Sequence, residues 1–431
     1  MTMALIGFVL LFFLAFGGVP LGLAMLLAGV GGFAFVRGSD GALAMLAQIM
    51  VDSSANYGMS VLPMFVLMGI FVHRAEISEE LYDAANAWLG HFKGGLAHAT
   101  VVSCALFAAI SGSSIATAAT MSRVAIPPMR RLGYHDRLST GSVASAGVLG
   151  VLIPPSVPLV LFGLLTETDI RKLFIATIIP GLLLTLFFII AVWVTVSLNP
   201  ALGPRGPKFT LKQKFIALKG VWSVIALFVF VMGGLYSGVF TVNEAASVAA
   251  VLALVFALLR GRLDWPSVWL GLRETASATA MIYTIIIGAS VFAYFVTLAR
   301  VPEALVAVID ALPISPLGIV ACLIVAYLAL GAIFDEIAAM LITLPFVLPV
   351  IERLGFDPVW WGIVNVVVVE LGMIIPPIGI IVFVLHGLAP QVPIRTIYKG
   401  VMPFIAADLL LLALLVVFPG LVLWLPTLIR G

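Results

Sequence analysis

The chain has 431 residues, of which 63% are hydrophobic and 10% are charged, and its formal net charge is +2. Its mean hydropathy of +1.23 excludes an ordinary soluble globular protein, because such a fold cannot bury this much apolar surface. The Lys and Arg residues lie in short segments between long apolar runs, and no basic stripe with interleaved aromatic residues is present. The composition therefore gives no indication of a nucleic-acid partner and predicts an all-α polytopic protein of a lipid bilayer.

Ten apolar segments have the length, about 17 to 25 residues, that is needed to cross about 30 Å of hydrocarbon. The first has no basic residue before it and leads directly into the second, so we expect a retained helix and not a cleaved signal peptide. The predicted crossings are 3–18, 20–36, 57–72, 138–166, 174–198, 221–237, 242–259, 274–298, 358–389 and 401–428.

Two further apolar pairs, at about 95–126 and 316–350, each contain two runs shorter than a full span around a polar tip. We interpret them as re-entrant hairpins. Unsatisfied peptide groups are costly in lipid, so both tips must be buried in protein or line a cavity.

A long apolar element occurs twice, at 127–157 and at 349–379, with a constant offset of 222 residues and no gap. Each copy carries Gly and Pro-Pro inside a hydrophobic segment, which predicts discontinuous helices at 138–166 and 358–389. Matched breaks in the two halves of a membrane protein are typical of secondary transporters. The matched pairs are Pro127 and Pro349, Arg131–Tyr134 and Arg353–Phe356, Leu149-Gly150 and Leu371-Gly372, and Pro154-Pro155 and Pro376-Pro377.

The distribution of positive charge predicts how the repeats are oriented. We divide the chain into a first repeat (1–203), a basic linker (204–220) and a second repeat (221–431). With the linker in the cytoplasm, the loops at 73–93, 123–137, 260–273 and 391–400 are predicted on the same side, and together with the linker they hold sixteen of the 22 Lys and Arg residues. Five crossings in each half then make the two repeats inverted, each with a re-entrant hairpin and a discontinuous helix, and place both termini outside the cytoplasm.

The tip of the first hairpin, Ser111–Ser114, combines three hydroxyl groups with a glycine, and the break at Gly150–Ser156 is predicted beside it. A broken helix frees carbonyl groups at one end and N–H groups at the other. Carbonyl and Ser oxygens suit a hard monovalent cation such as Na⁺, whereas the N–H ends favour a carboxylate. The alternative is a Ser/Gly seam that lets two membrane helices pack closely.

In the second repeat the corresponding regions are Gly331–Asp335 and Gly372–Gly379. Asp335, Glu336 and Glu370 are carboxyl groups within apolar runs, where ionisable residues are functional candidates. We expect a cavity role for Asp335. Glu370 is either coupled to an ion or paired with a scaffold Arg, and of these two we favour the structural pairing. Arg123 is placed to face a carboxylate, although positive-inside charge alone also explains it.

Several motifs resemble the large membrane subunit of TRAP transporters, the DctM-like permeases, and the resemblance runs essentially from end to end. One departure is Ile381, which stands where that family commonly has Asn. The motifs are SGSSIATAAT from Ser111, LGVLIPPS from Leu149, GVFTVNEAA from Gly238, GFDP from Gly355 and ELGMIIPPIG from Glu370.

The resemblance implies a Na⁺-driven importer of organic acids, such as C4-dicarboxylates, in a bacterial inner membrane. It implies an elevator mechanism, in which the hairpins and broken helices move against a scaffold. The implied partners are a small four-helix membrane subunit and an extracytoplasmic substrate-binding protein, with Na⁺ as coupling ion and no other cofactor or metal.

The same resemblance implies three groups of site residues. The substrate is expected between the two hairpin tips, with a Na⁺ site in each repeat. The first Na⁺ site comprises Ser111, Gly112, Ser113, Gly150, Pro154 and Ser156; the second comprises Gly331, Asp335, Gly372, Pro376, Pro377 and Gly379; the substrate residues are Ser113, Ser114, Pro155 and Asp335.

Two other functions are considered beside the tripartite importer. A stand-alone ion-coupled carboxylate carrier of the same fold needs no binding protein. An intramembrane enzyme finds no support, because the five His residues form no HExxH motif and the chain contains neither GxSxG nor a phosphate-binding loop.

Overall fold

The computed structural model describes residues 2–311 and 313–429, and these residues form α-helices and short 3-10 turns without a β-strand. The helices of the first half are α1 (Thr2–Phe16), α2 (Leu21–Arg37), α3 (Ser39–Ala55), α4 (Val61–Arg74), α5 (Ile77–Leu89), α6 (Gly95–Ser111), α7 (Ser114–Arg131), α8 (Asp136–Gly147), α9 (Leu149–Leu152), α10 (Val157–Leu165), α11 (Ile170–Ala176) and α12 (Ile178–Leu198), with 3-10 turns at Tyr57–Ser60 and Pro200–Leu202.

The second half continues the helical pattern after the basic linker, half of which is itself helical. Its helices are α13 (Leu211–Gly220), α14 (Trp222–Tyr236), α15 (Val242–Leu259), α16 (Trp265–Leu298), α17 (Val301–Ala311), α18 (Pro316–Ile333), α19 (Glu336–Arg353), α20 (Pro358–Gly372), α21 (Ile380–Leu388), α22 (Ile394–Val417) and α23 (Gly420–Leu428).

Seven helical stretches of the described residues are long and apolar enough to cross a membrane, and α13 with α14, bent by 54°, makes an eighth. Helices α1, α2, α6 and α20 are also apolar but have only 15 to 17 residues each. The chain is therefore a polytopic membrane protein, as predicted. The seven stretches are Tyr57–Arg74, Asp136–Leu165, Ile170–Leu198, Val242–Leu259, Trp265–Leu298, Pro316–Ile333 and Ile394–Val417.

The repeated sequence element produces the same helix end twice. At the end of α7 the N–H of Tyr134 donates to the Met129 carbonyl at 3.0 Å, around Gly133 with φ of 77°. At the end of α19 the N–H of Phe356 donates to the Ile351 carbonyl at 3.1 Å, around a glycine with φ of 80°. A positive φ at this position is the usual way to terminate an α-helix, and glycine adopts it without strain.

Both predicted breaks are present. After α9 the chain leaves the helix at Ile153 and resumes at α10, whose first turn is capped by the Ser156 hydroxyl. After α20 it resumes at α21, preceded by Gly379 with φ of 61°. Both Pro-Pro peptide bonds are cis. The breaks end the helical hydrogen-bonding at equivalent places, as the matched sequence predicts.

Three boundaries differ from the prediction. The predicted basic loops at 123–137 and 260–273 are largely helical, because α7 extends to Arg131 and α16 begins at Trp265. The predicted crossing at 401–428 is two helices, α22 and α23. The prediction that both runs of the second hairpin are shorter than a span is wrong for α18, which stays apolar for 18 residues after its Ser315 cap.

Close helix packing forms two groups. In one group α2 lies along α16, and α4 packs against α15 and α16. In the other, α8 packs against α7 and α22, and α18 packs against α20. Gly141 of α8 and Gly400 of α22 face each other backbone to backbone, a contact that has no room for a β-carbon on either side. The hairpins and broken helices thus share one tightly packed region.

Candidate functional site

A cavity of about 410 Å³ lies where the first hairpin, the start of α19, and helices α4 and α16 meet. Most of its wall is apolar. The polar residues of the wall are His73, Ser111, Ser113, Thr120, Arg123 and Glu336.

One face of α7 forms much of this wall. Ser113, Ala116, Thr120 and Arg123 recur at intervals of three or four residues, which is the spacing of one helix face, and Ala119 lies beside them. On the opposite side, Glu336 opens α19. The cavity therefore joins the tip of one predicted hairpin to the tip of the other.

A second cavity of about 420 Å³ shares His73, Thr120 and Arg123 with the first. Its other charged residues are Arg74 of α4, Glu76 and Glu79 at the start of α5, and Glu274 of α16. Nδ1 of His73 lies 3.1 Å from the Thr120 hydroxyl, which links α4 to α7 where the two cavities adjoin. Arg74 and Glu274 form an ion pair of 2.6 Å across the second cavity. The second cavity lies beside segments whose positive charge predicts a cytoplasmic location.

The tip of the first hairpin is held by a local hydroxyl network. The hydroxyls of Ser111 and Thr117 lie 2.6 Å apart, and the Thr117 hydroxyl donates to the Ser113 carbonyl at 2.8 Å. The Ser113 hydroxyl caps α7 by accepting from the N–H of Ala116 at 3.4 Å. Gly112, with φ of 63°, makes the turn between the two helices. Several oxygens are thus concentrated at the tip.

The break of the first repeat packs directly on this tip. A β-carbon on Gly150 would lie 2.6 Å from the Ser113 carbonyl oxygen, and one on Gly112 would lie 3.0 Å from the Pro155 carbonyl oxygen. Pro154 and Ser156 are buried in the same turn. The residues of the first predicted Na⁺ site are therefore grouped along the hairpin tip and the facing break.

The second predicted site is less tightly grouped. Gly331 and Gly372 pack backbone to backbone, since a β-carbon on Gly372 would lie 2.9 Å from the Gly331 α-carbon. Asp335 caps α19 by accepting from the N–H of Ala338 at 2.7 Å. Pro376 and Pro377 are exposed, and Gly379 is buried at the start of α21.

Tyr398 of α22 holds the exposed turn in place. Its hydroxyl lies 2.7 Å from the Pro377 carbonyl oxygen and 2.6 Å from that of Ile378. Carbonyl groups that lose their helical partners at the second break are therefore hydrogen-bonded by the Tyr398 side chain. The sequence does not indicate this contact.

The four predicted substrate residues occupy different environments. Ser113 lines the cavity, whereas Ser114 is fully buried behind it and Asp335 and Pro155 do not contribute to the wall. Glu336 contributes instead of its neighbour Asp335. His73, which no sequence motif indicates, joins the wall because α4 packs beside the hairpin.

Glu370 pairs with no Arg of the described residues, so the structure does not bear out the predicted pairing. It is fully buried on α20, and neither carboxyl oxygen has a hydrogen-bond partner among the described residues. Its neighbours are the carboxyls of Glu336, Asp408 and Asp335 and the Ser114 hydroxyl. Every residue of α20 from Val359 onward is buried, so no exposed scaffold Arg reaches it.

Ile381, the departure from the common Asn, is also fully buried. It lies in the first turn of α21, where its N–H donates to the Met373 carbonyl at 3.1 Å across the break. Its side chain is not part of the cavity wall.

The sequence of the chain matches a known family of proteins. The sequence profile described as the tripartite ATP-independent periplasmic transporter, DctM component, matches residues 8–421. The chain is 36% identical over 386 residues to the C4-dicarboxylate TRAP transporter large permease protein DctM of Pseudomonas aeruginosa, covering 88% of this chain and 89% of that protein. It is 31% identical over 427 residues to the sialic acid TRAP transporter large permease protein SiaM of Vibrio cholerae, covering 97% of each.

More distant relatives extend the range of named substrates and show the fold. The ectoine TRAP transporter large permease protein TeaC of Halomonas elongata is 29% identical, covering 99% of this chain and 98% of that protein. The crystal structure of the Alcanivorax borkumensis YdaH transporter superposes with a TM-score of 0.62 at 18% identity, covering 88% of this chain and 89% of that one. The fold is thus that of a solved membrane transporter.

Proposed function

Because the chain belongs to the DctM family, the large permease subunits of tripartite ATP-independent periplasmic transporters, we propose that it imports a small organic acid coupled to Na⁺. The related proteins are transporter permeases, so the chain is a transport subunit and not an enzyme. The proposed substrate class is a C4-dicarboxylate or a similar carboxylate. The named substrates of the relatives differ, so the family alone leaves this choice open.

The observation that carries the proposal is the cavity between the two hairpin tips. It joins Ser113 of the first hairpin to Glu336 of the second and borders α4 and α16 on the other side. A small-molecule site of this kind is concave, mostly apolar and equipped with a few polar groups. Arg123 supplies the positive charge that an organic acid requires.

The proposed coupling sites are the two clusters at the breaks. In the first, the Ser113 carbonyl lies near Gly150 and the Ser111 and Thr117 hydroxyls, so oxygen ligands for Na⁺ are concentrated there. In the second, Gly331 and Gly372 bring the first helix of the hairpin against the end of α20, close in sequence to the capping Asp335.

Bound Na⁺ would stabilise the tip geometry that receives the substrate. Movement of the hairpins with only Na⁺ or only the substrate bound would then be unfavourable. This requirement couples the import of the substrate to the entry of Na⁺. We assign the movement to an elevator mechanism, in which the hairpins and broken helices of the two inverted repeats slide against α2, α4, α15 and α16. The packing of α8 with α7 and α22, apart from the α2 and α16 pair, supports this division.

The proposed setting is the bacterial inner membrane. There the chain would work with a small four-helix membrane subunit and an extracytoplasmic binding protein, consistent with the tripartite system that its family name states. A stand-alone carrier of the same fold remains the alternative, and it differs only in needing neither partner.

The test is uptake into vesicles that contain this chain and its small membrane subunit, with the binding protein supplied outside. We expect accumulation of the ligand of that binding protein only with an inward Na⁺ gradient. Equal uptake after Na⁺ is replaced by choline would contradict Na⁺ coupling. Uptake by vesicles that hold this chain alone, without binding protein, would favour the stand-alone carrier.

A further inference from the structure

The cavity contains two charged side chains of opposite sign, and neither has a counter-ion among the described residues. Arg123 of α7 is exposed, and it is absent from the ion pairs and side-chain hydrogen bonds of the described residues. Glu336 of α19 is 6% exposed, and its Oε2 has no hydrogen-bond partner among the described residues. A buried carboxylate without a partner is costly, so Glu336 is poised for a ligand, and Arg123 is exposed and therefore accessible to one.

The other polar groups of the wall are already engaged. The hydroxyl of Ser111 bonds to that of Thr117, and Thr120 bonds to His73. The Ser113 hydroxyl accepts from the N–H of Ala116. The remaining wall is apolar. A polyhydroxylated acid would therefore lose hydrogen bonds to water without regaining them in the cavity.

The two charges lie toward different ends of the cavity. Ser113 and Arg123 are ten residues apart on one helix, which corresponds to about 15 Å of rise, and Glu336 is at the opposite hairpin tip. Apolar side chains such as Val66, Ile70 and Met281 line the wall with them. A ligand that satisfies both charges must therefore be elongated and apolar in its middle.

We propose that the cavity selects a zwitterionic organic acid, with its carboxylate on Arg123, its cationic group on Glu336 and an apolar body between them. The proposal rests on the transport function given above and, among the carboxylates considered there, favours a zwitterion over a dicarboxylate. A guanidinium is suited to bind a carboxylate through two parallel hydrogen bonds. A dicarboxylate would instead bring its second negative charge against Glu336, which is a repulsive contact.

Glu336 is the relevant acid at the second tip because its neighbour is otherwise engaged. Asp335 accepts the capping hydrogen bond from Ala338 and does not contribute to the cavity wall. Glu370 lies behind Glu336 and is fully buried. Among these carboxyls, Glu336 is the one that a substrate in the cavity reaches.

The experiment compares ligands of matched length on the purified complex of this chain with its small subunit. The probes are ω-amino acids with four, six and eight carbons, the α,ω-dicarboxylates of the same lengths, and the corresponding simple monocarboxylates. Calorimetric titration in Na⁺ buffer and in choline buffer gives each affinity. We expect one ω-amino acid to bind about tenfold more tightly than its matched dicarboxylate and monocarboxylate.

Two variants assign the charges. Arg123→Gln should weaken every carboxylate of that length about tenfold, whereas Glu336→Gln should abolish the preference for the ω-amino acid over the dicarboxylate. Arg131→Gln on α7 and Glu352→Gln on α19 are the matched controls, since both residues are exposed and outside the cavity wall. If Glu336→Gln loses the preference for the ω-amino acid while its thermal stability is unchanged, Glu336 has a binding role and not a structural one.

Three results would overturn this substrate class: matched dicarboxylates binding as tightly as the ω-amino acids, no probe binding at all, or a preference that survives Glu336→Gln. The choline arm separates this inference from the proposed function. If a dicarboxylate binds in a Na⁺-dependent manner, the zwitterionic substrate class is wrong and Na⁺ coupling is supported. If the ω-amino acid binds equally well in Na⁺ and in choline, the substrate class is supported and Na⁺ coupling is contradicted.

Discussion

The Ser113 carbonyl oxygen lies against the α-carbon of Gly150, so close that a β-carbon there would be 2.6 Å from it and 2.7 Å from the Thr117 hydroxyl. The contact joins the tip of the first hairpin to the first broken helix. Both opposing groups are fixed by the 2.8 Å hydrogen bond between them and cannot move apart cheaply. The glycine is therefore required by space and not by backbone conformation.

Gly150→Ala is expected to separate the tip from the break and to destabilise the protein by about 1–3 kcal/mol, the usual cost of overpacking. The measurement is the thermal unfolding midpoint in detergent, followed by tryptophan fluorescence. Gly387→Ala is the control, because a β-carbon on Gly387 of α21 would have nothing within 4 Å of it. An unchanged midpoint for Gly150→Ala would show that the backbone relaxes there.

Ser113 combines a helix cap with a place in the cavity wall. Ser113→Ala removes both, and we expect weaker Na⁺-dependent uptake, with a loss of about 1 kcal/mol in stability from the cap. The protein should still insert in the membrane. The measurement is the Na⁺ concentration that gives half-maximal uptake.

Ser113→Asn separates the two roles, because Asn also caps helices well. It should restore the thermal midpoint and leave the Na⁺ requirement altered. Uptake with wild-type Na⁺ dependence in both variants would remove the Ser113 side chain from the proposed ion site.

Local sequence predicts much of this architecture because local contacts decide helix ends. Gly133 and Gly355, 222 residues apart, terminate α7 and α19 through equivalent hydrogen bonds, and Ser113 and Asp335 cap equivalent helices. Each depends on residues within one turn, so the repeated sequence suffices to predict them.

Features that depend on distant packing were not predictable. Helix α3 (Ser39–Ala55) contains Asp40, Gln48 and Asp52, so it has no apolar run long enough to be recognised as a membrane crossing. It is stabilised by contact with α2 and α16. Glu370 lacks the expected Arg because its neighbours come from α19 and α22. The pattern of one segment cannot indicate which side chain another segment brings to it.

Tyr398 provides a test of the second break. Its hydroxyl donates to the Pro377 or Ile378 carbonyl, and Tyr398→Phe removes one such bond, with an expected loss of about 0.5–1.5 kcal/mol. If the turn contributes to the second Na⁺ site, the Na⁺ requirement for uptake should also rise. Tyr294→Phe is the control, since Tyr294 is exposed on α16. Unchanged stability and Na⁺ requirement would show that the turn holds its shape without Tyr398.

The ion pair of Arg74 with Glu274 links α4 to α16 across the cavity that leads toward the predicted cytoplasmic side. Arg74→Glu places two acids in contact, and we expect a lower thermal midpoint, corresponding to about 1 kcal/mol, because the Glu side chain is half exposed. Adding Glu274→Arg restores opposite charges and should recover most of the loss. If the double variant is as unstable as the single one, the charge pairing itself contributes little, and Arg74 acts through the packing of its apolar stem against Gly271. Repeating both measurements in high salt separates these outcomes, since only the electrostatic contribution is screened.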